Sequence, residues 1–240
     1  GEHVPHPYGE PKNIEDVPKP KEKTEAEIAL ELAEVDGYQT FDLPSRKLRK
    51  STLEFFGVKI SLSEADGKTP LERYYPYYRD GKLTGYKVKT CKGKEMWSIG
   101  SLKGVEWFGW KEAIASGSKR LIVTTGEDDA IAIRRAIDLN TKPQYIDSKP
   151  AVVSVVHGDG SAAKEFVAMK PRIKQYFKEV ILAFDMDDSG QKAAEAVSRV
   201  YPEAVVAALP AKDANLAIIE GKHSALFKAV MFNAQRKTTT

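Results

Sequence analysis

The sequence predicts an α/β protein, with a parallel-sheet domain preceded by a smaller, basic subdomain of mixed α+β character. Three observations carry that reading. After residue 116, short and wholly apolar runs (residues 121–123, 152–156, 180–184 and 204–209) alternate with segments of helical spacing, the pattern of parallel strands covered on both faces. Before residue 116, lysines and tyrosines interleave, and Asp80-Gly81 stands between two strand-like runs where a hairpin turn belongs. A chain of 240 residues also suffices for one large core or two modest ones.

The elements follow in order. Residues 1–23 are rich in proline and charge, too poor in apolar groups to offset the cost of ordering, and read as a linker or arm. A polar start at Thr24 and helical apolar spacing through Ala33 predict the first helix. Residues 45–56 predict a second, basic helix ended by Gly57. Residues 73–78, 83–90 and, past the Lys92-Gly93-Lys94 turn, 96–99 predict a small antiparallel sheet. Helical spacing over 128–139, 161–177 and 189–200 supplies the crossovers of the parallel sheet. The expected organisation is an arm (1–23), a basic subdomain (24–115), the parallel-sheet domain (116–232) and a tail (233–240).

Lysine and arginine number 37 against 34 acids, so the net charge says little about partners and its distribution matters more. Cys91 is the one cysteine, which rules out a disulfide framework and a cysteine-based zinc site within this chain. The four histidines, His3, His6, His157 and His223, show no ligand spacing. No apolar run approaches the roughly 20 residues of a membrane span, and the start has no signal-peptide progression. The expectation is a cytoplasmic protein with no membrane attachment and no zinc.

Functional groups of open parallel sheets collect where strands end, and there this sequence is acidic. The first apolar run leads into Thr125-Gly126-Glu127-Asp128-Asp129, the third into Asp185-Met186-Asp187-Asp188-Ser189-Gly190, and the fourth into Lys212-Asp213-Ala214-Asn215. Asp128, Asp129, Asp188 and Ser189 stand where helix N-caps belong. Asp185 and Asp187 would point the same way if the strand continues, and two such carboxylates repel unless a cation lies between them. Magnesium (or manganese) suits that site. A calcium loop fails, because Ala196 stands where its bidentate glutamate is needed.

These ordered motifs resemble the Toprim domain shared by bacterial primases, topoisomerases and some nucleases. The similarity is greatest to the primase half of phage primase–helicases, through residues 123–127, His157-Gly158 with Ser161-Ala162-Ala163-Lys164, Phe184-Asp185-Met186-Asp187, Gly190, and residues 209–215. Residues 73–103 resemble the same family's basic sheet. The resemblance implies a DNA primase that makes short RNA primers from nucleoside triphosphates on single-stranded DNA, with a replicative helicase and a DNA polymerase as partners. It assigns catalysis to Asp185, Asp187 and Glu127, and metal binding to these with Asp213. Where the family carries a glutamate before the first glycine, this chain has Thr125, which donates a hydrogen bond but cannot act as a carboxylate base. Glu127, two residues on, would substitute. The alternatives are a catalytically impaired Toprim nucleic-acid-binding module and a Toprim metal-dependent nuclease. The family's cysteine-rich zinc module is absent, and no Gly-x-x-x-x-Gly-Lys-Ser/Thr segment occurs, so the chain reads as a fragment or a stand-alone variant.

Lys82, Lys87, Lys89, Lys92, Lys94 and Lys103 are accompanied by one acid, Glu95, a stripe suited to phosphates. The resemblance places Lys87, Lys92 and Lys94 on the incoming nucleotide's phosphates, with Lys103 beside them. Arg46, Lys47, Arg49, Lys50 and Lys89 are expected to hold template. Tyr75, Tyr77, Tyr86 and Trp97 would suit base stacking, although strand aromatics more often face a core. His157-Gly158-Asp159-Gly160-Ser161 opens a helix as an anion seat or a simple turn.

Overall fold

The computed structural model describes residues 23–235; the expected arm, apart from Lys23, and the expected tail beyond Gln235 lie outside them. Thr24 opens helix α1 (Glu25–Asp36) with a reciprocal cap. Its hydroxyl accepts from the Glu27 amide at 3.2 Å, and the Glu27 carboxylate accepts from the Thr24 amide at 2.7 Å. The basic stretch that follows is not the single helix expected over 45–56. A 3-10 turn (Pro44–Arg46) comes first, Lys47 takes a left-handed φ of 49°, and only then does α2 (Lys50–Phe55) begin. Packing explains the break. Leu43 and Leu48 pair their backbones across the turn and are both buried, whereas a continuous helix would put residues five apart on different faces.

Four strands then form an antiparallel sheet in the order β1-β2-β3-β4: β1 (Lys59–Leu62), β2 (Pro70–Arg79), β3 (Lys82–Thr90) and β4 (Met96–Gly100). The expected hairpin is there, with Asp80 and Gly81 at φ 50° and 75°, the consecutive positive angles of a turn that matches strand twist. Strand β1 was not foreseen, since four residues with one buried side chain show too little alternation to read. The pleat sorts this sheet into two chemistries. Register places Arg73 opposite Lys89 and Tyr75 opposite Lys87 on one face, and Tyr74 opposite Val88 and Pro76 opposite Tyr86 on the other. Helix α1 lies against β3 and β4, and its Val35 joins Tyr74, Tyr86 and Val88 in a small apolar cluster. The basic face is left turned toward the second sheet.

That sheet is parallel, in the order β6-β5-β7-β8, with β5 (Arg120–Thr124), β6 (Ala151–Ser154), β7 (Glu179–Leu182) and β8 (Val205–Val206). Helix α3 (Trp110–Ala115) precedes it; α4 (Glu127–Asn140), α5 (Ala162–Tyr176) and α6 (Asp188–Val200) link its strands; α7 (Ala214–Ile219) and α8 (His223–Met231) close it. Strand β8 is much shorter than the run at 204–209 suggested; Gln235 returns to pair with Val206 on its edge. One apolar cluster spans both sheets, from Leu43 and Phe56 through Phe108 and Trp110 to Val230. Phe108 exchanges two 3.0 Å backbone hydrogen bonds with Ser154, so the boundary segment extends the edge of β6. From β5 the chain passes to β6 on one side and later to β7 on the other. Such a switch opens a crevice at the carboxyl ends of the strands.

Candidate functional site

The basic face of the first sheet meets that crevice. A cleft of about 300 Å³ is lined on one side by Arg46, Arg73, Lys89 and Lys94, and on the other by Asp128, Asp129, Asp213 and Asn215. A neighbouring hollow of about 430 Å³ holds Lys87, Lys89, Trp97, Thr125, Glu127 and Gly158. Lys89 and Met96 line both.

Three consecutive acids open α4. Gly126 is its N-cap and no side chain caps it, so the expectation that Asp128 and Asp129 cap this helix is corrected. The basic sheet captures the first two acids. The Glu127 carboxylate receives Lys87 Nζ at 2.5 Å, Lys89 Nζ at 2.8 Å and the Tyr77 hydroxyl at 2.5 Å, and is 2% exposed. Burial pushes its carboxyl up, but Lys89 and Lys87 outweigh that and hold it at about 2. Lys87 also donates to the Val156 carbonyl. This geometry departs from the expectation of a metal ligand or free base at Glu127, because two ammonium groups and a phenol already fill its oxygens. Asp128 pairs with Arg46 at 3.0 Å and Arg73 at 3.2 Å and accepts from the Tyr75 hydroxyl. Arg73, Tyr75 and Tyr77 were missed as a group. Their signal was an arginine in period-two register with two tyrosines, a charge on the inward side of a strand.

The third acid points elsewhere. Asp129 accepts from the Asn215 amide at 2.9 Å, and its carboxyl is pushed up to about 8 by burial, then by Asp185 and Asp213. It therefore faces the other acids of the crevice. A side chain on Gly126 would meet Asp129 Oδ2 at 2.6 Å, so the Asp129 carboxylate would have to shift. Asp185 and Asp187 do not extend strand β7, which ends at Leu182, so the same-face argument for the pair does not hold. Asp187 is the N-cap of α6, accepting from the Gly190 amide at 3.0 Å, and its other oxygen meets Lys212 at 3.2 Å. Those two contacts lower its carboxyl, the Gly190 hydrogen bond first. Asp188 and Ser189 lie inside α6 rather than at its cap. Asp185 is half-buried, and its carboxyl rises to about 6 through burial, then Asp159, Asp213 and Asp187. Gly190 has no room for a side chain, since a Cβ would lie 2.1 Å from the Asp185 carbonyl oxygen. Asp213 caps α7, accepting from the Leu216 amide at 2.6 Å.

Among the described residues, no group of three acidic, histidine or cysteine side chains is arranged to hold a metal ion as it stands. The donor chemistry nonetheless fits a hard divalent cation. The groups are carboxylates, Asp129 and Asp185 are driven upward by burial and then by the neighbouring acids, and Asp159 Oδ1 is buried with no hydrogen-bond partner. Magnesium keeps several waters and takes one or two carboxylates, so three converged ligands are not required.

The basic residues divide into two groups. Arg46 is committed to Asp128 and to Asn215, whose amide oxygen lies 3.1 Å from its guanidinium. Arg49 pairs with Asp42 and Lys50 with Glu54, and Lys47 is exposed in its left-handed turn. Lys92, Lys94 and Lys103 are exposed, with no ion pair among the described residues. Lys94 lines the acidic cleft, and Lys92 and Lys103 line neither hollow. Tyr75, Tyr77 and Tyr86 are buried, while Trp97 is 40% exposed beside Lys87 and Lys89. No helix among the described residues is long and apolar enough to cross a membrane.

Comparison with known proteins accords with this arrangement. The Toprim domain model matches residues 120–213. The DNA helicase/primase of Enterobacteria phage T3 is 35% identical over 195 residues, 79% of this chain and 31% of that protein; the chain thus spans about a third of the length of that relative. A chain from the structure of bacteriophage T7 lagging-strand DNA polymerase interacting with primase domains of two gp4 subunits bound to an RNA/DNA hybrid and dTTP is 30% identical. It superposes with a TM-score of 0.69, covering 83% of this chain and 94% of that one. The crystal structure of the primase fragment of the T7 primase-helicase protein gives 30% identity and a TM-score of 0.66, over 81% and 74%. A DNA primase domain from Pseudomonas aeruginosa, at 15% identity and a TM-score of 0.60 over 87% and 79%, shares the fold.

Proposed function

This chain belongs to the Toprim primases of the phage primase–helicase type, and from that premise we propose that it joins nucleoside triphosphates into short RNA primers on a single-stranded DNA template. The observation that carries the proposal is the cleft itself, with Arg46, Arg73, Lys89 and Lys94 opposite Asp128, Asp129, Asp213 and Asn215. A strip of cations facing a strip of carboxylates suits a triphosphate that must be held by its negative charge beside a divalent ion. Asp185, Asp187 and Asp213 would hold magnesium or manganese. When bound, such an ion neutralises triphosphate charge and lowers the pKa of an attacking hydroxyl.

The chain's own residues would do the rest. Lys94, at the rim, takes phosphate oxygens, with Lys92 and Lys103 further out. Lys87 and Lys89 present their ammonium groups from fixed positions, because Glu127 and the Val156 carbonyl hold them. Glu127 thus takes a positioning role. Exposed Lys47, Arg49 and Lys50 lead the template toward Arg46, and Trp97 offers a face for a base. The T7 structure with an RNA/DNA hybrid and dTTP supports nucleic acid and nucleotide as ligands, and its polymerase supports a polymerase partner. The T3 helicase/primase supports a replicative helicase as the other partner.

One observation favours a second reading. Thr125 carries no carboxylate and Glu127 is neutralised by two lysines, so the first motif lacks a general base, as in an impaired binding module. Labelled ATP and CTP, single-stranded DNA and magnesium separate the readings. Labelled oligonucleotides that disappear in Asp185→Ala support priming. Salt-sensitive DNA binding without product supports the module, and shortened DNA without RNA supports a nuclease.

A further inference from the structure

The turn between β6 and α5 brings one more carboxylate to the crevice. Gly158, at φ 74° and ψ −165°, occupies a region essentially restricted to glycine. It turns the chain into the 3-10 segment Asp159–Ser161, which packs against α6. A side chain on Gly158 would lie 3.9 Å from the Thr125 carbonyl oxygen, so the turn borders the first motif as well. Asp159 stands on this turn, and its Oδ1 is buried without a hydrogen-bond partner.

That atom is an anomaly among its neighbours. Asp129 has the Asn215 amide, Asp187 has the Gly190 amide and Lys212, and Asp213 has the Leu216 amide. The Val156 and His157 amides just before the turn both donate to Glu165, at 2.8 and 2.9 Å, which leaves Asp159 without them. A carboxylate oxygen buried without a partner is disfavoured. The turn that carries Asp159 packs against α6, whose first turn directly follows Asp185 and Asp187, which brings these acids to one end of the crevice. A carboxylate oxygen buried without a donor beside other acids is an arrangement a cation relieves.

We propose that Asp159 is a ligand of the divalent metal ion in this chain, reaching it from the β6–α5 turn opposite Asp185. The proposal rests on the metal-dependent reading above and deepens it. It adds a carboxylate to a site whose first motif carries the uncharged Thr125 before its glycine.

Manganese alone, titrated into the full chain and followed by electron paramagnetic resonance, tests this, together with thermal midpoints with and without manganese. Asp159→Asn keeps shape and hydrogen-bonding capacity and removes the charge. It should weaken manganese binding about tenfold or more and abolish most of the metal-induced rise in midpoint. The metal-free midpoint should stay level or rise, since a like charge has left the crevice. The exposed Asp147→Asn should change nothing. If Asp159→Asn binds manganese as wild type does while Asp185→Asn loses it, Asp159 is not a ligand, though the primase reading stands. If the metal-free midpoint of Asp159→Asn falls, the side chain is structural and the proposal fails. If wild type binds no manganese, both readings fail together.

Discussion

Glu127, Asp128 and Asp129 occupy consecutive positions in the first turn of one helix, yet they end in opposite surroundings. The first two lie against the basic sheet, where Lys87, Lys89 and Arg73, with Arg46 from the 3-10 turn, surround them. The third turns toward Asp185 and Asp213. Glu127 is held at about 2 and Asp129 is driven to about 8. Burial pushes both upward, and the sign of the neighbouring charge decides the outcome. The contrast separates two jobs within one turn. The neutralised pair ties the two sheets together and fixes the lysines, while the frustrated acid belongs to a crevice that is unfavourable until something positive enters it.

The largest expected effect comes from breaking the neutralised half. Arg73→Ala leaves Asp128 buried with one cation fewer and should cost about 3 kcal/mol or more in urea denaturation. A loss below about 1 kcal/mol would mean that Arg46 alone suffices and that the tie between sheets is weaker than its geometry. Glu127→Gln should cost about 2 kcal/mol at neutral pH, and it carries a signature in acid. The folded carboxyl at about 2 lies below the ordinary glutamate value of about 4.3. The stability it contributes is therefore fully present above that ordinary value and is lost as the pH falls through about 2. Between those limits the wild type should lose stability on acidification more steeply than Glu127→Gln, and parallel curves would sink the assignment.

The frustrated half should respond in the opposite direction. Asp129→Asn, measured with EDTA present, should raise unfolding stability by about 1 kcal/mol, because it removes a charge that folding disfavours. A drop would show that the Asn215 amide matters more than the repulsion. The smallest effects belong to the exposed rim. Lys92→Ala and Lys103→Ala should change stability by no more than about 0.5 kcal/mol. Each should lower the salt slope of single-stranded DNA binding by about 0.7, and an unchanged slope would place that lysine off the nucleic-acid path.

Much of the architecture was legible because local rules were strong. The apolar runs at 121–123 and 180–184 became central strands, and Asp80-Gly81 made the hairpin turn. Helix α1 began at its Thr24–Glu27 cap. The basic stretch after Pro44 was misread because its register is set by burial of Leu43 and Leu48, which helical propensity does not report. In the site, Asp185, Asp187 and Asp213 could be picked out as strand-end acids. Asp159 could not, since nothing in the sequence tells a satisfied turn aspartate from an orphaned one.

The sequence by itself determined the alternation of strand and helix, the positions of the turns, and which residue types gather at the crevice. These follow from periodicity and backbone preference, which act over a few residues. Only the tertiary structure decided which carboxylates are neutralised and which are left facing one another. Lys87 and Glu127 are 40 residues apart in the chain and 2.5 Å apart in space, and charge is governed by distance and burial rather than by position in sequence.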